Sequence, residues 1–274
     1  MTQESEQNQL PRHMEEKAVS TPESEVGSKT DNDKVESVET PEAQERVIEC
    51  ITNLINQRIG DAFKVYDDYI KLGTPKKFVD CIKEIWPENN GSPYSGNLRL
   101  YLPKLPIPED IAKNFSIRFT VKPDDYENHA SLDSGGVLSI GINEESTSQD
   151  AKITERLIKM HVYHEIEHIY FPGPNADFLD LSDAKDALKY VSDPGEIRAF
   201  AKGYAYLFKT KFPGEAFSQE KMSEAINEVG YRDWFATFSD SEKRKKYLEL
   251  CGVDIFDIND QLIGLTSGFI GNIA

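Results

Sequence analysis

Three of the five histidines in this chain fall within eight residues, at His161, His164 and His168. On a helix, His164 and His168 lie on one face about one turn apart, as two adjacent ligands of a tetrahedral zinc ion require. Glu165 lies beside this pair. Zinc lowers the pKa of its bound water towards about 7, and a neighbouring carboxylate can take the proton while the water attacks a carbonyl. The HExxH pattern therefore predicts a zinc-dependent hydrolase with His164 and His168 as ligands and Glu165 as general base.

A catalytic zinc site needs a third protein ligand and one open position. Glu196, 28 residues beyond the second histidine, is the best downstream candidate. A capping box is the competing interpretation, because Asp193 and Glu196 have the spacing at which the glutamate returns to the cap amide. Two features favour ligation. Small residues at Ala199, Ala201 and Gly203 would let this helix approach the histidine helix closely, and no histidine or cysteine offers a better-placed ligand downstream.

Amide hydrolysis also needs a hydrogen-bond donor for the oxyanion, and Tyr190, Tyr204 and Tyr231 are the candidates. Tyr190 ranks first because it shortly precedes the helix that carries Glu196. His161 lies on nearly the same face as the proposed ligands, so it is either a structural histidine or a residue that orients substrate. Glu167 points away from the pair and is expected to be a surface charge.

Two helices must position these residues. The first is expected to begin at the Ser-Thr-Ser cluster at 146–148, with Asp150 in its first turn, and to end at the Phe-Pro-Gly-Pro run at 171–174. Its apolar residues form two sectors, which predicts a largely buried helix: Ile153 and Leu157 share the histidine side, and Ile158, Val162, Ile166 and Ile169 cover another. The second helix is expected to begin at Asp193 and Pro194 and to run to about Phe212.

Two-residue alternation predicts three strands of a half-buried sheet, in the segments 98–102, 117–121 and 138–142. Ser134, Gly135 and Gly136 lie between the segments 129–133 and 137–142, which predicts a hairpin. An edge strand beside the histidine helix could bind an extended peptide as a further strand and present its carbonyl to the metal.

The chain is expected to divide into three parts. Residues 1–42 contain no aromatic residue and are rich in Glu, Ser, Thr, Asn and Gln, which predicts a disordered acidic tail. Residues 43–90 show helical periodicity and form an N-terminal helical region. Residues 91–274 are expected to form the catalytic domain, with a C-terminal helical extension.

Composition narrows the function further. The formal charge of −17, from 31 basic and 48 acidic residues, argues against nucleic-acid binding. Cys50, Cys81 and Cys251 are far apart and odd in number, so neither a disulfide framework nor a cysteine zinc site is indicated. With no signal peptide and no run of about 18 apolar residues, we expect a cytoplasmic protein that does not cross a membrane. These features specify no oligomeric state.

The motif His164, Glu165, His168, followed by Glu196 and Ala199, resembles the gluzincin zinc metallopeptidases, especially the compact bacterial and phage-encoded minigluzincins. The resemblance covers roughly residues 95 to 212. It implies a zincin-like α+β fold, in which a small, mostly antiparallel sheet packs on the HExxH helix and a later helix supplies the glutamate ligand, with additional helices at both ends. The Glu-x-x-Ala-x-Ala pattern is also similar to bacterial metallopeptidases of the ImmA/IrrE type, which rank second.

This chain departs from the larger gluzincins at Phe200. In those proteins an acidic residue stands four positions after the ligand glutamate. A carboxylate that supports the ligands must therefore come from elsewhere, and Asp180, Asp183 and Asp193 are the candidates.

The function expected from these residues is a zinc metallopeptidase that acts on a peptide or protein substrate in a bacterial cytoplasm, or in a host cell or virion if the chain is phage-encoded. The alternative is a protein that binds zinc without proteolysis and uses the zincin scaffold in a structural or assembly role. Zinc bound without turnover would distinguish the second from the first.

Overall fold

The computed structural model describes residues 40–74, 76–85, 115–122, 129–133, 135–143, 150–174, 184–252 and 254–271. Within these ranges the chain is mainly helical with one small sheet, so the predicted α+β class is confirmed. The elements in chain order are α1 (Pro41–Lys71), α2 (Phe78–Ile85), β1 (Ser116–Lys122), β2 (His129–Leu132), β3 (Val137–Asn143), α3 (Ala151–Glu167), α4 (Ala184–Val191), α5 (Pro194–Lys211), α6 (Gln219–Glu228), α7 (Trp234–Phe238), α8 (Ser241–Cys251) and α9 (Ile255–Gly271).

The histidine helix, α3, is shorter than the sequence suggested. Its N-cap is Asp150, whose carboxylate accepts a hydrogen bond from the Ile153 N–H at 3.1 Å, so Asp150 precedes the first turn instead of lying within it. The helix ends at Glu167, and His168 is the C-cap, with φ −66° and ψ −9°. The chain therefore leaves the helix before the Phe-Pro-Gly-Pro run, because the first proline only forbids continuation at that point and does not set the last turn.

The start of α5 agrees with its sequence signals. Asp193 is the N-cap and accepts a hydrogen bond from the Gly195 N–H at 2.8 Å, while Pro194 occupies the first helical position, where its missing N–H is no loss. The helix ends at Lys211, and Phe212 is its C-cap, close to the predicted end.

The described sheet has three strands in the order β1-β3-β2. The β2–β3 pairing is the predicted hairpin: it is antiparallel, and the Asp133 carboxylate accepts hydrogen bonds from the N–H groups of Gly135 and Val137 in the turn. The longer pairing, β1 with β3 over seven residues, is parallel. The expectation of a mostly antiparallel sheet is therefore wrong for these strands, which form a mixed sheet. Two-residue alternation reports which face of a strand is buried and carries no information on strand direction.

Two apolar cores meet on α3. One core contains α1, α2, the sheet and the α3 residues Ile158, Val162 and Ile166. The other is built from α4 to α7 and α9, and reaches α3 through Met160, with Ile153 and Leu157 partly buried against it. The predicted division of the α3 apolar residues into two sectors is confirmed. The histidine side of α3 faces the second core, so α3 carries its polar site between two packed layers.

The α3 and α5 helices are in close contact at Gly203. A Cβ atom built on Gly203 would lie 3.1 Å from both the Cγ and the carbonyl oxygen of Met160, tighter than ordinary contact. The small residues of α5 allow this close packing, as predicted, and Ala199 and Ala201 are fully buried beside the contact. This contact sets the separation of the two helices that carry the candidate site.

Several sequence predictions fall outside the described residues. They are the strand at 98–102, the cluster at 146–148, the aspartates Asp180 and Asp183, and the acidic tail up to residue 39. The first helix, α1, starts at Pro41 with Thr40 as its N-cap and packs along α3 in the first core, while α9 forms the C-terminal helix. The division at residues 42 and 90 stays a prediction. In the described part of the chain, every helix is too short or too polar to cross a membrane.

We expect Gly203→Val to destabilise the fold by about 2 kcal/mol, because the added side chain meets the Met160 carbonyl in a packed interior. Gly264→Val is the matched control, since Gly264 also lies in a helix and a Cβ there meets nothing within 4 Å. That substitution should change stability by less than about 0.5 kcal/mol. Urea denaturation followed by circular dichroism measures both. Equal losses in the two variants would contradict the close approach at Gly203.

Candidate metal centre

The described residues contain a group of three side chains that could hold a metal ion: His164, His168 and Glu196. The two imidazole Nε2 atoms lie 3.3 Å apart. The Nε2 of His164 is 3.3 Å from Glu196 Oε2, and the Nε2 of His168 is 3.3 Å from Glu196 Oε1. Helix α3 and its C-cap supply both histidines, and the first turn of α5 supplies the glutamate, so the predicted residues are brought together.

The spacing of these groups is close to that of a tetrahedral site, with each histidine nearest to a different oxygen of the Glu196 carboxylate. With ligand bonds of about 2.0–2.1 Å, a tetrahedral zinc ion holds each pair of ligand atoms about 3.3–3.4 Å apart. The burial of Glu196 also suits a cation. Its side chain is only 2% exposed, and its Oε2 has no hydrogen-bond donor among the described residues. A buried carboxylate oxygen without a donor is costly unless a cation or a proton satisfies it. The donor set and its geometry therefore suit a divalent cation such as Zn²⁺.

The orientation of His168 is fixed by the loop that follows α3. Its Nδ1 lies 2.9 Å from the carbonyl oxygen of Phe171. Because a carbonyl only accepts hydrogen bonds, Nδ1 carries the proton and Nε2 presents its lone pair to the site. Metal-bound histidines are commonly held in this way by an acceptor on the other ring nitrogen.

Two glycines allow this loop to lie across the start of α5. Gly173 packs directly against the Glu196 carboxylate, and a Cβ there would overlap it. Gly195 packs against the loop backbone, where a Cβ would lie 2.7 Å from the Pro172 carbonyl oxygen and 2.9 Å from that of Phe171. The sequence interpretation used the prolines as helix signals and missed these glycines. The signal was present, because each glycine directly follows a proline at a point where the chain must pack closely.

The competing capping-box interpretation of Glu196 is not what the structure has. In a capping box the Glu196 carboxylate would accept a hydrogen bond from the Asp193 N–H. That N–H donates instead to the carbonyl oxygen of Tyr190 at 3.1 Å. The Asp193 carboxylate caps α5, and the Glu196 carboxylate faces the histidines. Burial lowers the pKa of His168 overall, and the charge of Asp193 is among the effects that oppose this change.

Burial controls the charge states of the three candidate ligands. It lowers the pKa of His164 to about 3, and it lowers that of His168, although the nearby Glu196 opposes the change. Both imidazoles are therefore neutral near pH 7, as metal ligation requires. Burial raises the pKa of Glu196, against the opposing effects of His168 and of a hydrogen bond from Tyr190.

Glu165 lies beside the group, with Oε1 3.9 Å from the Nε2 of His164. Its Oε2 accepts a hydrogen bond of 2.9 Å from the Leu132 N–H in β2, the edge strand among those described. Burial raises the pKa of Glu165 to about 8; the Leu132 hydrogen bond opposes this rise and the Glu196 charge adds to it. At this pKa the carboxyl group is mostly protonated near pH 7, and a cation bound beside it would lower the pKa and favour the ionised form that accepts a proton.

The three candidate tyrosines occupy different environments. Tyr190 interacts with Glu196 through a hydrogen bond, and burial together with the Glu196 charge raises its pKa. Tyr204 is fully buried and donates its hydroxyl to the Arg232 carbonyl at 2.8 Å, so it supports the fold. The ring of Tyr231 packs edge-on against His161, with ring centres 5.1 Å apart. Of the three, Tyr190 is the one whose hydroxyl lies against a candidate ligand.

His161 is 9% exposed and lines a cavity next to His164 and Glu165. Burial lowers its pKa to about 3, so the ring is neutral. It is not one of the three grouped ligands. His129 lies in β2, outside that group as well.

The expectation that Glu167 is a surface charge is wrong, because its side chain is completely buried. Glu167 Oε2 accepts a hydrogen bond from Arg198 Nε at 3.0 Å, and Lys202 Nζ lies 3.5 Å from Oε1. Arg198 also donates to Glu45 of α1 at 2.8 Å, and Lys202 pairs with Glu45. The sequence did hold a signal, since Arg198 and Lys202 are four residues apart, on one face of a largely apolar stretch of helix, which favours an acidic partner for both.

Two members of this four-residue ionic network are close in sequence to the candidate ligands. Glu167 adjoins His168, and Arg198 follows Glu196 by two residues. The Arg198 guanidinium lies 4.1 Å from the ring centre of Phe171 and 5.0 Å from that of Phe269 in α9. The network therefore joins α1, α3 and α5, and it holds the loop whose carbonyl orients His168.

Comparison of the chain with protein-family models, curated proteins and solved structures finds no match. The resemblance to gluzincins accordingly depends on the residues and geometry described above.

We expect Glu167→Gln to destabilise the protein by about 3 kcal/mol, since it removes one charge from a buried ionic network and leaves two cations with Glu45 alone. Glu224→Gln is the matched control. Glu224 pairs with Lys211 at 2.9 Å, but its side chain is 60% exposed, so the loss should be below about 1 kcal/mol. Urea unfolding midpoints and slopes provide the measurement. A Glu167→Gln loss no larger than that of the control would show that the network contributes little.

Proposed function

We propose that this chain is a zinc-dependent metallopeptidase of the gluzincin type, with His164, His168 and Glu196 as metal ligands. The observation that carries the proposal is the convergence of His164, His168 and Glu196, whose ligand atoms lie within 4.8 Å of one another, next to a carboxylate that follows the first histidine. Three ligands leave a fourth tetrahedral position for water or substrate, which is the arrangement of catalytic zinc sites. When bound, zinc would polarise the substrate carbonyl and lower the pKa of water.

Glu165 is proposed as the general base and acid. It takes a proton from the attacking water as the new C–O bond forms, and it returns this proton to the amine nitrogen as the C–N bond breaks. The Leu132 N–H holds one oxygen of the carboxylate, while the other lies towards His164. This arrangement limits rotation of the carboxylate, so that proton transfer needs little reorganisation.

Tyr190 is proposed as the donor that stabilises the oxyanion. Its interaction with Glu196 and its position in the lining of the cavity that also contains His164 and Glu165 support this role, and its raised pKa keeps the hydroxyl protonated at neutral pH. A hydroxyl in this position can donate to the carbonyl oxygen as negative charge develops there.

Strand β2 is proposed to bind the peptide. In its antiparallel pairing with β3, the Leu132 N–H points away from β3 to Glu165, and by alternation the backbone of Ala130 points the same way. Ala130 also lines the cavity next to His164. An extended peptide that pairs with this edge would lie along the candidate metal centre, which favours a peptidase over other zinc hydrolases.

The metal proposal predicts about one zinc per chain after purification without chelator, measured by elemental mass spectrometry. His164→Ala and Glu196→Ala should each lower zinc affinity at least about a hundredfold, because each removes one of three protein ligands. His129→Ala is the matched control: His129 lies outside the grouped ligands, so its loss should leave the metal content unchanged. A metal-free wild-type protein, even after addition of zinc, would contradict the proposal.

The catalytic proposal predicts that Glu165→Gln keeps its zinc and lowers kcat/KM for peptide cleavage by about 10²–10⁴-fold, since the general base is lost. Tyr190→Phe should lower kcat by about 10²-fold with little change in KM, because oxyanion stabilisation acts in the transition state. Cleavage of a mixed library of unstructured peptides, followed by mass spectrometry, gives the readout. A zinc-loaded wild type without any turnover would support the alternative of a non-proteolytic zincin scaffold.

A further inference from the structure

A cavity of about 420 Å³ opens beside His164 and Glu165. This volume falls in the range of pockets that enclose small ligands, so a complete amino-acid side chain fits. The lining residues come from β2, α3, α4, α5, the segment between α6 and α7, and the first residue of α7. The lining residues used below are Val191, Phe200, Trp234, His161, Tyr231 and Arg232.

One wall of the cavity is aromatic and continuous with the candidate metal centre. The ring of Phe200 contacts that of His164, with ring centres 4.5 Å apart, and Phe200 in turn lies 6.1 Å from Trp234. Val191 of α4 adds aliphatic surface. Phe200 and Trp234 are each 7% exposed, so they are fixed parts of the second core that show only an edge to the cavity. Such a wall favours a large apolar or aromatic side chain over a small or charged one.

Another part of the lining is polar. It consists of His161, which burial keeps neutral, and Tyr231, whose ring packs against it. These groups can form hydrogen bonds with a substrate but do not select for its charge.

Arg232 lies at the mouth of the cavity and is exposed to solvent. Its guanidinium lies 4.0 Å above the ring centre of Trp234, so it is held on the aromatic wall. No carboxylate in the described part of the chain forms an ion pair with it. The adjacent Asp233 caps α7 by accepting a hydrogen bond from the Ala236 N–H. Other arginines that lie on aromatic rings, Arg198 and Arg244, do have carboxylate partners.

The position of Arg232 is fixed by the same helix that carries Glu196. The hydroxyl of Tyr204, a fully buried residue of α5, donates to the Arg232 carbonyl at 2.8 Å and lies 3.4 Å from the Trp234 N–H. The backbone on both sides of Asp233 is therefore tied to the helix of the candidate ligand. The guanidinium is thus a positioned cation at the cavity mouth. Its N–H groups can donate to a planar acceptor such as a carboxylate.

We infer that this cavity selects peptides with a large apolar or aromatic side chain next to the scissile bond and a carboxylate within reach of Arg232. The inference rests on the proposed peptidase function and adds to it a substrate class. A chain with 48 acidic and 31 basic residues repels anionic peptides overall. An arginine in the cavity lining would offset this repulsion locally and attract a substrate carboxylate. The carboxylate is that of an acidic side chain or of a free peptide C-terminus, and both present the same planar pair of oxygens.

The test uses short peptides that carry Phe as the cavity residue and Glu, Gln or Lys at the next position, with both termini blocked. A further pair ends at that position in Gln, with either a free carboxylate or an amide. Values of kcat/KM are measured for zinc-loaded wild type, Arg232→Gln, Arg232→Glu and Lys246→Gln. Lys246 is an exposed cation on α8, outside the cavity lining, so its variant makes the same charge change elsewhere.

Wild type is expected to prefer a carboxylate peptide over its neutral partner by about tenfold or more, since a hydrogen-bonded charge pair is gained. Arg232→Gln should reduce this ratio to near one, Arg232→Glu should invert it in favour of Lys, and Lys246→Gln should retain it. Replacement of Phe by Ala in the peptide should lower kcat/KM about tenfold. A preference limited to the free C-terminus would identify the peptide end as the source of the carboxylate.

A ratio near one in wild type, or a preference that persists in Arg232→Gln, would overturn the inference while leaving the peptidase intact. Failure of zinc-loaded wild type to cleave any peptide would instead count against the proposed function. In that case calorimetric binding of the same peptides to zinc-loaded Glu165→Gln decides the point: carboxylate-dependent binding that is lost with Arg232→Gln supports the recognition site, and equal binding of all peptides overturns it.

Discussion

Burial of the Glu196 carboxylate between α3 and α5 is the constraint on which the other features of the site depend. Moving an ionised carboxylate out of water costs several kcal/mol, and one oxygen of this group has no hydrogen-bond donor. The neighbouring imidazoles are kept neutral by burial, and the pKa of Glu196 stays raised although His168 opposes the rise, so they compensate the charge only in part. The proposed zinc ion would satisfy all three groups together. Without a cation or a proton, this arrangement is unfavourable, and the surrounding structure must hold it in place.

The surrounding structure does this from two directions. On one side, close contacts at three glycines bring the helices and the connecting loop together: Gly203 against Met160, Gly195 against the loop carbonyls, and Gly173 against Glu196 itself. Behind the ligands, buried Glu167 binds Arg198 and Lys202, so the positions of the histidine helix and the glutamate helix are linked by charge as well as by packing. The site is therefore positioned by the backbone approach of two helices, which a single side-chain rotamer change cannot undo.

Much of this site could be predicted from the sequence, because its main signals are local. The histidine spacing, the Asp193 and Pro194 helix start and the two apolar sectors of α3 each depend on helical periodicity or on capping, which a few adjacent residues encode. The features that were missed depend on partners distant in sequence. The burial of Glu167 follows from Arg198 and Lys202 on another helix, and the parallel pairing of β1 with β3 follows from a connection that alternation does not specify. Arg232 gave no signal, since its role comes only from the folded position of Trp234 and the cavity.

The position of α3 between two apolar cores has a consequence for cooperativity. The apolar residues of α3 are divided between the two cores, whereas those of α5, the helix that carries Glu196, belong to the second core. An ion shared by these residues would act as a cross-link between two layers that could otherwise open separately, and its binding free energy would be added to the stability of both. Under this arrangement the core amides of the metal-bound protein would exchange their hydrogens with solvent in one cooperative unit. Loss of the metal would then weaken both cores as well as empty the proposed catalytic site.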